Sequence, residues 1–221
     1  MIKIDQVIRS RRRSLALIVR PDGSLVVRAP LRTPDVIIRA FVESKADWVR
    51  KHQAAAAASP PRAARGFSEG QLLWFLGRQY PLRVDPAARA ALTFREAFIL
   101  SPRAMQQAEQ VLTAWYRSQS QEVLAERVQF YAGQYGFTAQ GIRITSAERR
   151  WGSCSAKNSL NFAWRLIMAP LEVVDYVVVH ELAHTREKNH GRGFWGIVRM
   201  VMPDYAEKRK WLNENGKKLR L

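Results

Sequence analysis

Pro170-Leu171-Glu172-Val173-Val174-Asp175-Tyr176-Val177-Val178-Val179-His180-Glu181-Leu182-Ala183-His184 is the stretch whose conformation decides what is built around it. Its valines, taken alone, favour a strand. Against them stand Pro170, where a helix would begin, and the acidic Glu172 and Asp175 beside the positive end of the helix dipole. The side-chain chemistry breaks the tie. Residues four apart on a helix lie about 5–6 Å from each other on one face. The imidazoles of His180 and His184 can then reach one ion at roughly 2.0–2.1 Å. The spacing therefore predicts a helix, and one apolar on all sides belongs in the interior of its domain.

The string continues through Thr185-Arg186-Glu187-Lys188-Asn189-His190, so three of the four histidines fall within eleven residues. Glu181 lies about 100° round the helix from His180. It is therefore placed at the edge of the site, where a carboxylate can touch a metal-bound water without being a ligand, as in the His-Glu-x-x-His motif. A catalytic zinc takes three protein ligands and keeps a fourth position for water, whose pKa it draws towards about 7. His190 is expected as the third ligand, because Asn189, Gly191 and Gly193 are residues that end a helix and turn the chain back. Glu187 and Glu207 are the carboxylate alternatives. A metzincin would carry glycine three residues after the second histidine, and Glu187 stands there instead. The pattern predicts a Zn2+-dependent hydrolase with His180, His184 and His190 on the metal and Glu181 as general base.

Outward from this stretch, Ile142, Ile144 and then Leu160, Phe162, Trp164 and Leu166 read as two strands around the turn-rich segment Trp151 to Asn158. Pro102 to Tyr135 reads as one long helix closed near Gly133 or Gly136. Leu72 to Leu76 and Tyr80 to Val84 form a hairpin turning at Gly77-Arg78, and Leu92 to Leu100 a further strand. In the first thirty residues Ile2, Ile4, Leu15, Leu17, Val19, Leu25 and Val27 alternate with polar positions, which predicts strands and a hairpin at Pro21-Asp22-Gly23. A helix follows from Thr33-Pro34, with Thr33 as cap, fraying near His52. Ala54 to Ala58 and Ser59-Pro60-Pro61 form the expected linker or mobile loop. The fold class is α+β: residues 1–100 a β-rich region with one helix, residues 101–221 the hydrolase core.

Composition narrows the partners. The chain has 221 residues, enough for a core that needs no metal or disulfide to hold it, and its single cysteine excludes an internal disulfide. No apolar run approaches the roughly 18 residues of a membrane span, and residues 1–13 lack a signal-peptide core, so the expected compartment is the cytoplasm. The net charge is +17. Residues 1–100 hold 18 basic and 8 acidic side chains, so the charge is not confined to a tail. A surface of this kind attracts polyanions, nucleic acid and nucleotides among them.

Arg150-Trp151-Gly152-Ser153-Cys154-Ser155, Leu160-Asn161-Phe162-Ala163-Trp164-Arg165-Leu166, Val179 to His184, Asn189-His190 and Phe194-Trp195 together resemble the YgjP-like metallopeptidase family, relatives of the SprT and WLM groups among the zincins. The resemblance implies a β-rich N-terminal part and a minimal zincin-like core whose active-site helix carries the first two ligands. It also implies the three histidines on zinc and Glu181 as base. Trp151, Ser153, Cys154 and Asn161 are expected to line the cleft or to form a tight packed hairpin. Cys154 is a nucleophile or thiolate ligand on one reading and a packed thiol on the other. Tyr205 is a candidate donor to a developing oxyanion. Peptide hydrolysis, with the substrate backbone added to a strand edge near Leu160 to Trp164, is the first functional expectation. Hydrolysis of a nucleoside triphosphate is the alternative, although no Walker-type phosphate loop is present. A nucleic-acid-associated protease is the third.

Overall fold

Three strands open the chain: β1 (Gln6–Ser10), β2 (Ala16–Val19) and β3 (Leu25–Pro30), with β3 in the centre, parallel to β1 and antiparallel to β2. The computed structural model describes residues 2–20, 22–58 and 66–221. The expected β2–β3 hairpin forms, and its turn needs Gly23 at φ +82, where a side chain would be strained. Helices α1 (Asp35–Ser44) and α2 (Ala46–Ala58) follow, and Leu25, Val27, Ala29, Ile38, Val42 and Val49 share one buried cluster. Three expectations change here. Pro34, not Thr33, occupies the cap position, with no side-chain bond. The single helix is two. Residues 54–58 are helix rather than linker, since alanine is the best helix former and the first proline comes only at position 60. The expected loop at 59–65 lies outside the described residues.

The chain divides into two compact units, Met1–Gly66 and Phe67–Leu221, so the division falls at 66 rather than at 100. Its physical reason is the packing of the next strands. β4 (Leu72–Phe75), β5 (Arg78–Val84), β6 (Leu92–Phe94) and β7 (Phe98–Leu100) form a sheet in the order β4-β5-β7-β6. Its buried Leu73, Phe75, Leu82, Phe98 and Leu100 belong to the same cluster as the later helices. The stretch expected as one strand over 92–100 is a hairpin, β6 against β7.

After the short α3 (Pro102–Met105), α4 runs from Ala108 to Tyr135 and buries Leu112, Tyr116, Ser120, Leu124 and Val128, every fourth residue along one face. The expected long helix is thus interrupted once, at 106–107, and it closes as expected on Gly136, whose φ of +67 is the left-handed cap. The third sheet holds β8 (Gly141–Thr145), β9 (Gly152–Cys154) and β10 (Ser159–Ala163), with β10 in the centre, parallel to β8 and antiparallel to β9. Trp164–Met168 is a 3-10 turn.

It leads into α5 (Leu171–Ala183), which begins after Pro170 and ends at His184. α5 is the helix predicted from the opening stretch, and Val173, Val174, Tyr176–Val179, Leu182 and Ala183 are all buried. Its valines adopt a helix because tertiary burial rewards them more than strand propensity does. The β4–β5 hairpin tip is fitted beneath its start. A Cβ on Gly77, at φ +78, would meet the Pro170 Cα at 2.8 Å. On the far side, Arg127 of α4 grips Asp175 through Nε and Nη2 at 2.6 and 2.8 Å. Helices α6 (Arg192–Val201) and α7 (Tyr205–Asn215) and a closing 3-10 turn, Gly216–Lys218, complete the unit. No helix among the described residues is long and apolar enough to cross a membrane.

Losing one partner of a nearly buried ion pair leaves the other charge without compensation, at about 3–5 kcal/mol. Asp175→Ala is therefore expected to lower unfolding stability by about 3 kcal/mol, the low end of that range, because Arg127 keeps some exposure. Urea unfolding monitored by circular dichroism checks it.

Candidate metal centre

Helix α5 ends where its ligands begin. His180 sits in the last full turn and His184 at the cap, and their rings meet edge to face with centroids 5.1 Å apart. The chain then leaves the helix and returns with His190, whose Nε2 lies 3.2 Å from Nε2 of His184 and 3.1 Å from Nε2 of His180. Among the described residues these three form the group whose ligand atoms converge, all within 4.8 Å of one another. Three nitrogens around one tetrahedral zinc at roughly 2.0–2.1 Å would be about 3.3 Å apart, so the donor set fits the ion. The carboxylates of Glu187 and Glu207, the alternative ligands, are not in the group.

Local interactions hold His190 in place. The Nδ1–H of His184 donates to the Glu187 carbonyl at 2.9 Å, which leaves the Nε2 lone pair for a metal. Arg186 donates to the Tyr135 and Gly136 carbonyls at 2.7 and 2.9 Å, closing the end of α4 and anchoring the loop. Lys188 reaches Asn158 Oδ1 at 2.5 Å and the Ser155 carbonyl at 3.2 Å, while Asn158 Nδ2 donates to the Thr185 carbonyl at 3.3 Å. Gly191 then caps α6, and Phe194 packs against all three imidazoles with centroids 4.4 to 4.9 Å away.

The electrostatics suit a metal. Burial, and then the neighbouring His184, His190 and Arg209, hold the His180 imidazole down to about 3, so it is neutral near pH 7. Burial also lowers His184. Glu181 is buried, and that desolvation pushes its carboxyl up to about 7 against the pull of Arg150. Its Oε2 has no hydrogen-bond partner among the described residues. A buried, unpaired carboxylate oxygen beside a convergent donor set is costly in a purely structural role and useful as a proton acceptor.

Gly152 explains why this carboxylate keeps its place. A Cβ there would lie 2.5 Å from Glu181 Oε1 and 2.6 Å from its Cγ, so β9 can pass this close to α5 only with hydrogen at that position. The cleft beside the site, about 240 Å³, is lined by Trp151, Gly152, Tyr176, Val177, His180, Glu181, Arg209, Leu212 and Asn213. Of the expected cleft residues, Trp151 lines it. Ser153 and Asn161 instead face each other across β9 and β10, with Asn161 Nδ2 3.3 Å from Ser153 Oγ. Cys154 is half-buried with its pKa raised by burial, its Sγ 3.7 Å from Lys188 Nζ and outside the metal group, which makes it a packed thiol. Tyr205 stacks on Trp195, with centroids 5.3 Å apart, and lines a neighbouring hollow. Sequence reasoning missed Arg209 and Asn213. They stand one helical turn apart on α7, which nothing in the sequence ties to the histidine motif.

A model of the YgjP-like metallopeptidase domain matches residues 13–215. The chain belongs to the YgjP-like metallopeptidase family. A relative, the UTP pyrophosphatase of Escherichia coli (strain K12), is 30% identical over 80 residues, 34% of this chain and 48% of that protein. The chain thus spans about half the length of the curated relative it matches. The crystal structure of the metallopeptidase zymogen of Pyrococcus abyssi abylysin is 19% identical, with a TM-score of 0.38 over 41% of this chain and 93% of that one.

Metal analysis of the purified protein is expected to give one divalent ion per chain. His190→Ala should weaken zinc binding by more than the roughly 10–100-fold that changes behind the ligands cost. Competition against a chromogenic chelator measures the difference.

Proposed function

We propose that the chain is a zinc-dependent hydrolase that cleaves peptide bonds, with His180, His184 and His190 holding the ion and Glu181 handling the proton. The observation that carries the reading is the convergence of three imidazole nitrogens beside a buried carboxylate with one unpaired oxygen. When bound, zinc supplies a Lewis acid that polarises a carbonyl and draws the pKa of water towards about 7. Glu181 takes the proton from the attacking water and passes it to the leaving amine. Arg209 faces the cleft from α7 and offers charge to the developing oxyanion, a role expected of Tyr205 from the sequence.

The substrate backbone has a strand edge to pair with, though not the one near Leu160 to Trp164. β10 is flanked on both sides, which leaves β8 and β9 as the outer strands, and β9 is the one that passes beside Glu181. Ala163 N–H donates to the Trp151 carbonyl at 2.8 Å and Ser155 N–H to the Ser159 carbonyl at 2.9 Å. By the alternation of an antiparallel ladder, the N–H and C=O groups of Gly152 and Cys154 then point away from β10. An extended peptide added there would run directly beside Glu181.

Hydrolysis of a phosphoanhydride is the second reading. It is favoured by the cationic lining of the hollow next to the cleft and by the match to a protein named as a UTP pyrophosphatase.

Glu181→Gln is expected to keep its zinc and lose about 10²–10⁴-fold in turnover, the usual worth of a positioned general base. Gly152→Ala should lose activity as well, because the new methyl displaces Glu181 and not the ligands. Unstructured protein and UTP, each with and without chelator, form the assay. Full activity in Glu181→Gln removes this residue from the mechanism, and phosphate release without proteolysis selects the second reading.

A further inference from the structure

Trp151, Leu212 and Asn213 line two depressions at once. One is the cleft holding His180 and Glu181, and the other is a hollow of about 200 Å³ completed by Glu148, Arg149, Arg165, Gly216, Lys217, Leu219 and Arg220. Sharing three lining residues, the two lie side by side. The Trp151 ring that divides them is firmly seated, because a Cβ on Gly216 would come within 2.8 Å of its Cζ2.

The hollow is strongly cationic. Arg149, Lys217 and Arg220 take part in none of the ion pairs among the described residues, and Glu148 is the one carboxylate on its walls. Arg165 also lines it, donating to the Ala147 carbonyl at 2.9 Å and lying over the Trp164 ring at 5.7 Å. Like charges gathered around one concave site repel each other unless an anion joins them. Two guanidinium forks and an ammonium match the oxygens of a tetrahedral oxyanion. A phosphate carrying about −1.5 to −2 charges uses this surplus more fully than a single carboxylate does.

We propose that the hollow walled by Trp151, Arg149, Lys217 and Arg220 is a subsite for a phosphate group carried by the substrate. It rests on the hydrolase reading for the word substrate alone. The group held here is separate from the bond cut at the histidines, and the hollow fixes its distance from that bond.

Inorganic triphosphate is the probe, titrated calorimetrically into the full chain at about 0.15 M salt, where long-range attraction is screened. The wild type should bind one equivalent. The variant R149Q/K217Q/R220Q should bind at least about tenfold more weakly, since one hydrogen bond to a charged group is worth that much. The control R28Q/K45Q/K51Q removes the same charge from the first unit and should bind like wild type. Arg149→Gln and Arg220→Gln singly carry the comparison if the triple variant unfolds. Equal weakening in the control, the absence of saturable binding, or equal affinity for tetraglutamate overturns the proposal. Repeating the titration in His180→Ala separates the two claims: binding retained there stands even if no hydrolytic activity is found, whereas binding lost there assigns the triphosphate to the metal centre and overturns the subsite.

Discussion

Placing His180 and Glu181 in a region from which water is largely excluded requires a helix buried on every side from Val173 up to the residue before the first ligand. α5 meets that requirement with valine at five of its positions, at some cost in helix propensity, because β-branched side chains lose rotamer freedom against the preceding turn. The cost is offset by burial at roughly 25 cal/mol per Å² of apolar surface. Packing rather than propensity thus sets the direction of α5. The Arg127 clasp on Asp175 and the Gly77–Pro170 contact fix it further, at positions away from the chemistry. Low water content then does two things at the end of the helix. It keeps the His180 imidazole neutral, as a ligand must be, and it raises the proton affinity of Glu181.

The third ligand poses a different problem, since His190 lies outside the helix on an exposed loop. Loops hold a geometry only when their ends and polar groups are tied down. Here Arg186 is tied to the end of α4, Lys188 and Asn158 tie the loop to the β9–β10 turn, and Phe194 packs against the rings. The loop therefore depends on two elements from far earlier in the chain. Neither touches the ligand nitrogens. Their effect on affinity comes through the orientation of the rings, which is how groups behind the ligands tune a metal site.

How much of this was legible in the sequence follows the range of each interaction. The helical spacing of His180 and His184, the return of His190 and the Gly136 cap are local patterns that the structure has, and the hairpin expected to turn at Gly77-Arg78 forms with its turn one residue earlier, at Leu76-Gly77. The break at 106–107, the helical alanines at 54–58 and the β6–β7 turn were misread because weak local signals compete there and packing decides. The cleft residues were half legible. Trp151 lies near Gly152 in the chain, so its place follows from the strand, but Ser153, Cys154 and Tyr205 turn elsewhere. Arg209 and Asn213 arrive through the packing of α7 against α5, and no spacing rule connects them to the histidines.

Gly152 shows why a site of this kind constrains residues that perform no chemistry. The Glu181 carboxylate must be dry enough to bind a proton near neutrality, yet a dry carboxylate free to move would turn towards Arg150, the nearby cation that already pulls its pKa down. Backbone packed at the distance only glycine allows lies directly against the side chain and limits its movement on that side. The same strand, by its register, turns free N–H and C=O groups outward at Gly152 and Cys154. One short strand therefore both restrains the base and exposes the edge beside it, and a substitution at Gly152 disturbs the two together. That coupling accounts for a glycine at the first position of β9, where its lack of a side chain otherwise weakens a sheet.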